Sequence, residues 1–229
     1  MEAKRGIKNK TKQIIKLSVK IMDMGNKIDL QRERVISIIN QAGIGMPVTL
    51  SHYELILECE LSKAIVDSAV FFVNRHAGSS WITEVRLSQQ DIFFCFEWGL
   101  FLLDTVGDMD IGFEEHTFPD EMYFSGGSAK ELDILYNADL RLVVNNMTLL
   151  PGIRTDVFKK YQTVIDRRGA GESGLREIGD GCVMLLGMKN CKFILGLPRK
   201  AEWKDSKIRM RLRLRGFLAK NASIMDSIF

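Results

Sequence analysis

Hydrophobic and charged residues alternate without interruption over nine positions late in the sequence, Lys207-Ile-Arg-Met-Arg-Leu-Arg-Leu-Arg215. A β-strand directs successive side chains to opposite faces, whereas a helix would scatter these charges around its axis. The pattern therefore predicts a strand with four apolar residues on one face and a row of like charges on the other. Such a row repels itself unless acidic or anionic groups lie over it. Its members are Lys207, Arg209, Arg211, Arg213 and Arg215.

A second alternating segment, His52–Leu61, offers the best partner for the arginine row within the chain. One face would carry Tyr53, Leu55, Leu57, Cys59 and Leu61, and the opposite face would carry Glu54, Ile56, Glu58 and Glu60. Opposite charges across an antiparallel pair stabilise it by about 0.2–1 kcal/mol each. Three glutamates do not balance five cations, so we expect positive charge to remain even if the two strands pair.

Helical signals occur at three places in the sequence. Asp29 is placed to cap a helix over Leu30–Ala42 that Gly43 would end. Ser88-Gln-Gln-Asp91 resembles a capping box before the apolar run Ile92–Leu103, which predicts a central buried helix or a subunit contact. Ser128-Ala-Lys-Glu131 predicts a shorter helix that ends near Tyr136.

The remaining ordered segments indicate strands joined by short turns. Residues 156–165 fit a helix or a strand, and Gln13–Met22 fits a strand with a helix as the competing interpretation. The clearer strands are Ala69–Asn74, Trp81–Leu87, Leu140–Asn145 and a hairpin made of Cys182–Met188 and Cys191–Leu197. The prediction is an α+β fold, mostly antiparallel sheet with two or three packed helices. It forms a single domain over residues 13–229, after a basic flexible arm over residues 1–12.

Charge is strongly segregated along the chain. The sequence is 46% hydrophobic and 27% charged, as in ordinary folded proteins, with a formal net charge of +3. Residues 87–129 contain nine acidic residues and no lysine or arginine, and both flanking regions are basic. This arrangement predicts internal neutralisation or head-to-tail association into a homo-oligomer. The acidic loop, residues 104–121, is also a place where a basic protein partner could bind.

No motif in the sequence predicts catalysis, a metal or a cofactor. Gly169-Ala-Gly171-Glu-Ser-Gly174 matches a dinucleotide fingerprint in letters, but no apolar strand precedes it and Gly179 and Gly181 leave no room for the required helix. The glycine-rich segment 167–181 is therefore predicted to be a mobile loop. The acidic residues around Asp108 and Asp110 lack the glutamate that a calcium-binding EF-hand needs. The four cysteines form no CxxC pair, which indicates thiols in a reducing compartment.

Basic clusters are the most specific functional signal, and they predict contact with an anionic surface. The expected anion-binding residues are the row from Lys207 to Arg215, the arm residues Lys4, Lys8, Lys10 and Lys12, and Arg167 and Arg168. The hypothesis is a non-enzymatic assembly protein, matrix- or coat-like by analogy of class, that self-associates and binds anionic lipid or nucleoprotein. A sequence-tolerant RNA- or DNA-binding module and an enzyme with an unrecognised metal-dependent acidic site are the alternatives. Without a secretory signal or an apolar segment long enough to span a bilayer, we expect a cytoplasmic or nuclear protein, with peripheral attachment to a membrane as one option.

Overall fold

A computed structural model of the chain shows a mostly antiparallel β protein. It describes residues 26–43, 48–61, 66–73, 87–103, 115–116, 132–159, 174–179, 181–201 and 208–222. The chain forms two compact units. The first comprises Met1–Gly45 and Ile224–Phe229, and the second comprises Met46–Ser223. The predicted basic arm lies outside the described residues, and the boundaries of the predicted single domain stay a prediction.

The first unit contributes one described helix, α1, over residues 26–41. Val35 and Ile39, one helical turn apart, are buried, while Leu30 on another face is two-thirds exposed. Gly43 ends the helix in the left-handed region (φ +62°), as the sequence indicated. The helix begins before Asp29, so the prediction that this residue caps it is wrong.

The larger sheet of the second unit has six strands built around a long central pair. Its strands are β1 (Thr49–Leu61), β3 (Ile92–Leu103), β4 (Glu115–His116), β7 (Arg176–Glu177), β8 (Val183–Leu186) and β10 (Ile208–Lys220). The order is β1-β10-β3-β4, and β7 and β8 also pair with β3. All these pairings are antiparallel. β10, the predicted arginine strand, thus lies between β1 and β3.

The smaller sheet has four antiparallel strands. They are β2 (Val66–Phe72), β5 (Asp139–Val144), β6 (Met147–Arg154) and β9 (Cys191–Ala201), in the order β2-β9-β5-β6. A two-residue turn joins β5 to β6. Asn145 and Asn146 both have positive φ there (48° and 67°), which matches the twist of a hairpin. Two short 3-10 helices, Asp133–Tyr136 and Thr155–Phe158, flank this hairpin.

Both sheets contribute to one hydrophobic core. β10 supplies Met210, Leu212 and Leu214, and β9 supplies Phe193 and Leu195, all essentially inaccessible to solvent. Each such fully buried side chain stabilises the fold by about 1.5–3 kcal/mol.

Thr155 is a fully buried polar residue beside this core, and its hydrogen bonds are satisfied locally. Its Oγ1 donates to the carbonyl of Leu135 (2.8 Å) and accepts from the amide of Ala138 (3.0 Å). These bonds tie the two 3-10 helices together.

A β-bulge interrupts the pairing of β10 with β3. Arg215 faces Glu97, but Gly216 faces Cys95, so β3 holds one extra residue, Phe96, at this point. The strands approach so closely that a Cβ at Gly216 would lie 1.8 Å from the carbonyl oxygen of Phe94. Only glycine fits there without a shift of the backbone.

The predicted central helix is instead strand β3, so the expectation of two or three packed helices is wrong. Every residue of Ile92–Leu103 except Glu97 is buried, because β3 has strands on both sides and is covered on both faces. Uniform apolarity fits such a strand as well as a buried helix. The supposed capping box forms a turn, with the Asp91 amide donating to the Ser88 carbonyl (2.9 Å). Among the described residues α1 is the only α-helix of more than one residue. Of the third helical signal, residues 128–131 lie outside the description, Leu132 is helical, and the 3-10 segment Asp133–Tyr136 follows it.

The predicted hairpin after residue 181 is also wrong, although both of its strands exist. β8 pairs with β3 in the larger sheet, and β9 pairs with β2 and β5 in the smaller one. Gly187 turns the chain against residues 88–91, donating its amide to the Asp91 carbonyl (2.9 Å). Strands β1, β2, β5 and β10 confirm the predicted strands within a few residues. The predicted strands 13–22 and 81–87 lie outside the described residues, except for Leu87.

We expect Gly216→Ala to lower the free energy of unfolding by about 1–3 kcal/mol, because the added methyl group overlaps a backbone oxygen of β3. Urea denaturation of wild type and variant measures the change. Gly196→Ala is the matched control, since Gly196 is also a strand glycine but its Cβ would have ordinary contacts, the nearest at 3.8 Å. Equal loss of stability in the two variants would contradict the close approach at the bulge.

Candidate functional site

The arginine row lies on the face of the larger sheet that points away from the shared core. The register of β1 and β10 places Glu54 opposite Arg215, Ile56 opposite Arg213 and Glu58 opposite Arg211. This register follows from the sequence, since each strand alternates core-facing apolar residues with charged ones. His52–Leu61 was expected as the best internal partner of the arginine row, beside an anionic partner outside the chain, and the internal pairing is the one observed, over Thr49–Leu61.

Three glutamates form ion pairs with three of the arginines. Arg211 donates its Nε hydrogen to Glu58 Oε1 (2.8 Å), and its Nη2 contacts the same oxygen. Glu54 accepts from Arg213 through one carboxylate oxygen and from Arg215 through the other (3.5 Å). Arg215 also reaches Glu97 of β3, with 3.5 Å between Nη1 and Oε2.

An aromatic contact completes the network. The guanidinium carbon of Arg213 lies 5.5 Å from the centre of the Phe101 ring, within the range of a cation–π interaction. The charged side chains are only about 13–25% exposed, so water screens their attraction incompletely. Burial alone would raise the pKa of Glu54, but the hydrogen bonds and charges of Arg213 and Arg215 outweigh it and hold that pKa below its ordinary value.

These ion pairs make the arginines of the row less available to an external anion. A phosphate that bound Arg211, Arg213 or Arg215 would have to compete with carboxylates already held in register. Arg209 lies on the same face and also has an interaction partner. An anion-binding role for the row stays a prediction, now with a defined competitor.

The other predicted binding residues fall on parts of the chain outside the description. They are Lys4, Lys8, Lys10, Lys12, Arg167, Arg168 and Lys207. The same holds for the acidic loop 104–121, apart from the backbone of β4. In the glycine-rich segment 167–181, Arg176 and Glu177 form β7 against β3 rather than open loop.

Sequence reasoning missed Glu97 because it was assigned to a helix. In that helix Glu97 would have been one carboxylate in an apolar surface, with no reason to meet an arginine. On β3 it lies opposite Arg215 and supplies the third carboxylate of the network. The sequence did contain a signal for this contact. Glu97 is the one acid in a twelve-residue apolar run, and a carboxylate in such surroundings requires a cation as its partner.

A second surface arises on the outer face of the smaller sheet, where register brings scattered residues into rows. One row crosses all four strands as Phe72, Lys192, Val143 and Thr148, and the next contains Val70, Ile194 and Arg141. Phe72 is 37% exposed, and Arg141 is exposed beside the half-buried Ile194. We call these residues the outer face of the smaller sheet.

Two turns meet at one end of this face. The amide of Asn145 donates to the carbonyl of Asn190 (3.1 Å), and the amide of Asn190 donates to Oδ1 of Asn145 (3.0 Å). Apolar side chains on and beside these turns project into solvent, with exposed fractions of 67% for Met147, 55% for Leu149 and 45% for Met188. These three residues form the apolar tip.

Two cysteine thiols are held in the protonated form by their surroundings. Burial raises the pKa of Cys95 far above its ordinary value, and burial also raises the pKa of Cys191. Both are therefore poor nucleophiles in this fold.

Comparison of the chain with protein-family models, curated proteins and solved structures gives no match. Within the described ranges, no three His, Cys, Asp or Glu side chains are grouped so that they could hold a metal ion. No helix in those ranges is both long and apolar enough to cross a membrane.

We expect Glu54→Gln to lower the free energy of unfolding by about 1–3 kcal/mol at pH 7, because two partly buried arginines lose their shared carboxylate. The pKa of Glu54 is lower in the folded protein than its ordinary value of 4.5, so its contribution is present above that value and is lost as pH falls through the folded pKa. The gap between wild type and variant should therefore be constant well above pH 4.5 and narrow as the pH falls below that value. Urea titrations on both sides of that pH measure it, with Glu33→Gln on the exposed side of α1 as control. A gap independent of pH would refute the ion-pair explanation.

Proposed function

We propose that this chain is a non-enzymatic assembly protein that self-associates and binds an anionic membrane surface. The contact surface is the outer face of the smaller sheet together with the apolar tip. The observation that carries the proposal is a set of exposed apolar side chains at the joined turns, at the end of a face that holds two cations. Register places Met147 opposite Val144, so Met147 adjoins the rows of that face without belonging to them. Peripheral membrane contacts combine these two features, with apolar groups entering the interface and cations meeting anionic headgroups.

Exposed apolar side chains at the tip of a sheet need a physical reason, because contact with water is unfavourable for them. Met147 and Leu149 lie on β6, at the edge of the smaller sheet, where their transfer into a lipid interface would bury apolar surface. Lys192 and Arg141 lie on neighbouring strands with one residue between their rows. Each cation near an anionic bilayer contributes about 1 kcal/mol of attraction.

The character of the apolar residues favours lipid over nucleic acid. Single-stranded nucleic acid is held by aromatic rings on which bases stack. Phe72 is the aromatic residue in the rows described above, and the tip consists of methionine and leucine, which insert into an interface but offer no flat surface to a base.

The arginine row has a structural part in this proposal. Its ion pairs fasten β10 to β1 and β3, while the smaller sheet provides the contact surface. Arg211→Gln should therefore reduce stability and leave membrane binding of the folded protein unchanged. If vesicle binding fell with that variant while the protein remained folded, the row itself would be the contact surface.

We expect the wild-type protein to sediment with vesicles that contain phosphatidylserine, and the double variant Lys192→Glu with Arg141→Glu to partition at least about tenfold more weakly at low salt. The matched control, Lys220→Glu with Arg176→Glu, makes the same change in net charge on the larger sheet and should bind as wild type. Co-sedimentation at about 50 and 300 mM salt separates the two contributions. Met147→Ser with Leu149→Ser should weaken binding at both salt concentrations, because its effect is not electrostatic.

Competition with single-stranded RNA tests the nucleic-acid alternative in the same assay. RNA should not displace the protein from vesicles. Binding to RNA without binding to vesicles would refute the membrane proposal and favour a nucleic-acid module, and binding to neither would refute both.

A further inference from the structure

Strand β1 forms a long and regular edge of the larger sheet. Over all 13 residues it pairs with β10 without a register shift, and among the described strands β10 is its only partner. Its sequence contains no proline and no glycine. An edge of this length presents a row of backbone donors and acceptors on which another strand can pair.

The edges of the smaller sheet are built differently. β6 carries Pro151 and Gly152, and its pairing with β5 shifts register twice. β2 has seven residues and a register shift next to its first residue. Proline, bulges, shortness and charged side chains are the means by which sheets prevent contact between edges. β1 has only the last of these, and its Glu54 and Glu58 are already held by arginines of β10, which indicates that its edge is used.

The occupant that best fits the β1 edge is a second copy of β1. In a two-fold antiparallel pair, residues that face each other lie on the same side of the sheet. The axis therefore lies midway between one residue and the same residue of the second copy, and that residue defines the register. Leu55 is the middle residue of Thr49–Leu61, and an axis there pairs the whole strand with its copy.

Side-chain charge is compatible with this register and disfavours the two adjacent ones. With the axis at Leu55, His52 faces Glu58 of the second copy and Glu54 faces Ile56, so each carboxylate avoids another carboxylate. An axis at Ile56 would place Glu54 against Glu58 twice, and an axis at Glu54 would place that residue against itself. Like charges directly opposite each other destabilise a strand pair.

The residues that would meet lie on the face of the larger sheet that carries the arginine row. The His52 ring packs edge-on against Phe217, with ring centres 5.6 Å apart. Glu58 is held by Arg211, and Ile56 is 38% exposed between the two glutamates. A partner's histidine could thus join the charged network from across the edge.

We infer that two copies of this chain pair antiparallel along β1, with the two-fold axis at Leu55, and so join their larger sheets into one continuous sheet. The inference specifies the self-association half of the proposed function and rests on it. Membrane binding is not involved, so the tests are made without vesicles.

The first test uses charge at position 56 and sedimentation velocity over a range of protein concentrations. Ile56→Glu would face Glu54 of the partner twice, and we expect it to weaken the dimer about tenfold. Ile56→Lys would face the same glutamates and should retain or strengthen the dimer. Within one chain the two substitutions affect stability in the opposite order, because position 56 lies opposite Arg213, which attracts a glutamate and repels a lysine. A loss of dimer caused by poor folding would therefore follow the lysine variant, and urea denaturation distinguishes the two causes.

The second test fixes the register covalently. In the Leu55-centred pair, position 51 faces Cys59 of the second copy, so Ser51→Cys should give a covalent dimer with a short thiol-specific crosslinker. Thr49→Cys, whose position faces residue 61, is the control and should give much less. Crosslinking in both variants, or in neither, would overturn the register.

A wild-type protein that stays monomeric at all concentrations would overturn the inference and the self-association proposal together. An oligomer that Ile56→Glu and Ile56→Lys affect equally would overturn pairing along β1 with the axis at Leu55, and would leave self-association through another surface. In both cases the vesicle assay decides membrane binding separately.

Discussion

The larger sheet depends on one constraint, which is that the central strand β10 carries arginines on one face and core leucines on the other. The apolar face fixes where β10 lies, since Leu212 and Leu214 are buried in the shared core. The arginines on the other face are then only partly exposed, and the cost of removing their charges from water must be offset by carboxylates. Glu54 and Glu58 on β1 and Glu97 on β3 meet this requirement from both sides. A shift of β1 by one residue would bring glutamates to the core and leave the arginines without partners.

The same constraint explains which parts of the fold could be predicted from sequence. Alternation with complementary charge gave both strands of the β1–β10 pair, because period and charge identify the same partner. β3 could not be assigned in this way, since a strand buried on both faces loses its alternation and resembles a buried helix. The error at β3 removed Glu97 from the candidate site. It also hid the partner of β8, because Gly187 places that strand beside β3 although β9 follows it directly in sequence.

The outer face of the smaller sheet lay beyond sequence reasoning for a different reason. Lys192, Arg141 and Phe72 are far apart in sequence, and each is an ordinary residue in its own strand. Only the register of three strands makes them neighbours. Clusters along the chain, by contrast, were easy to see, yet the most regular of them is largely matched by glutamates. The arginine row, evident in the sequence, forms internal contacts, whereas the proposed external contact is assembled by the fold.

The position of β10 in the chain also has a consequence for folding during synthesis on the ribosome. Glu58 and its partner Arg211 are separated by 153 residues, and β10 is the last described strand to be synthesised. Until it emerges, β1 and β3 cannot form the centre of their sheet, and the long apolar strand β3 has no neighbour on the side that β10 will occupy. Contacts between such distant segments form slowly, and exposed apolar strands aggregate. The nascent chain is therefore expected to be prone to aggregation until β10 has been synthesised and can pair with β1 and β3.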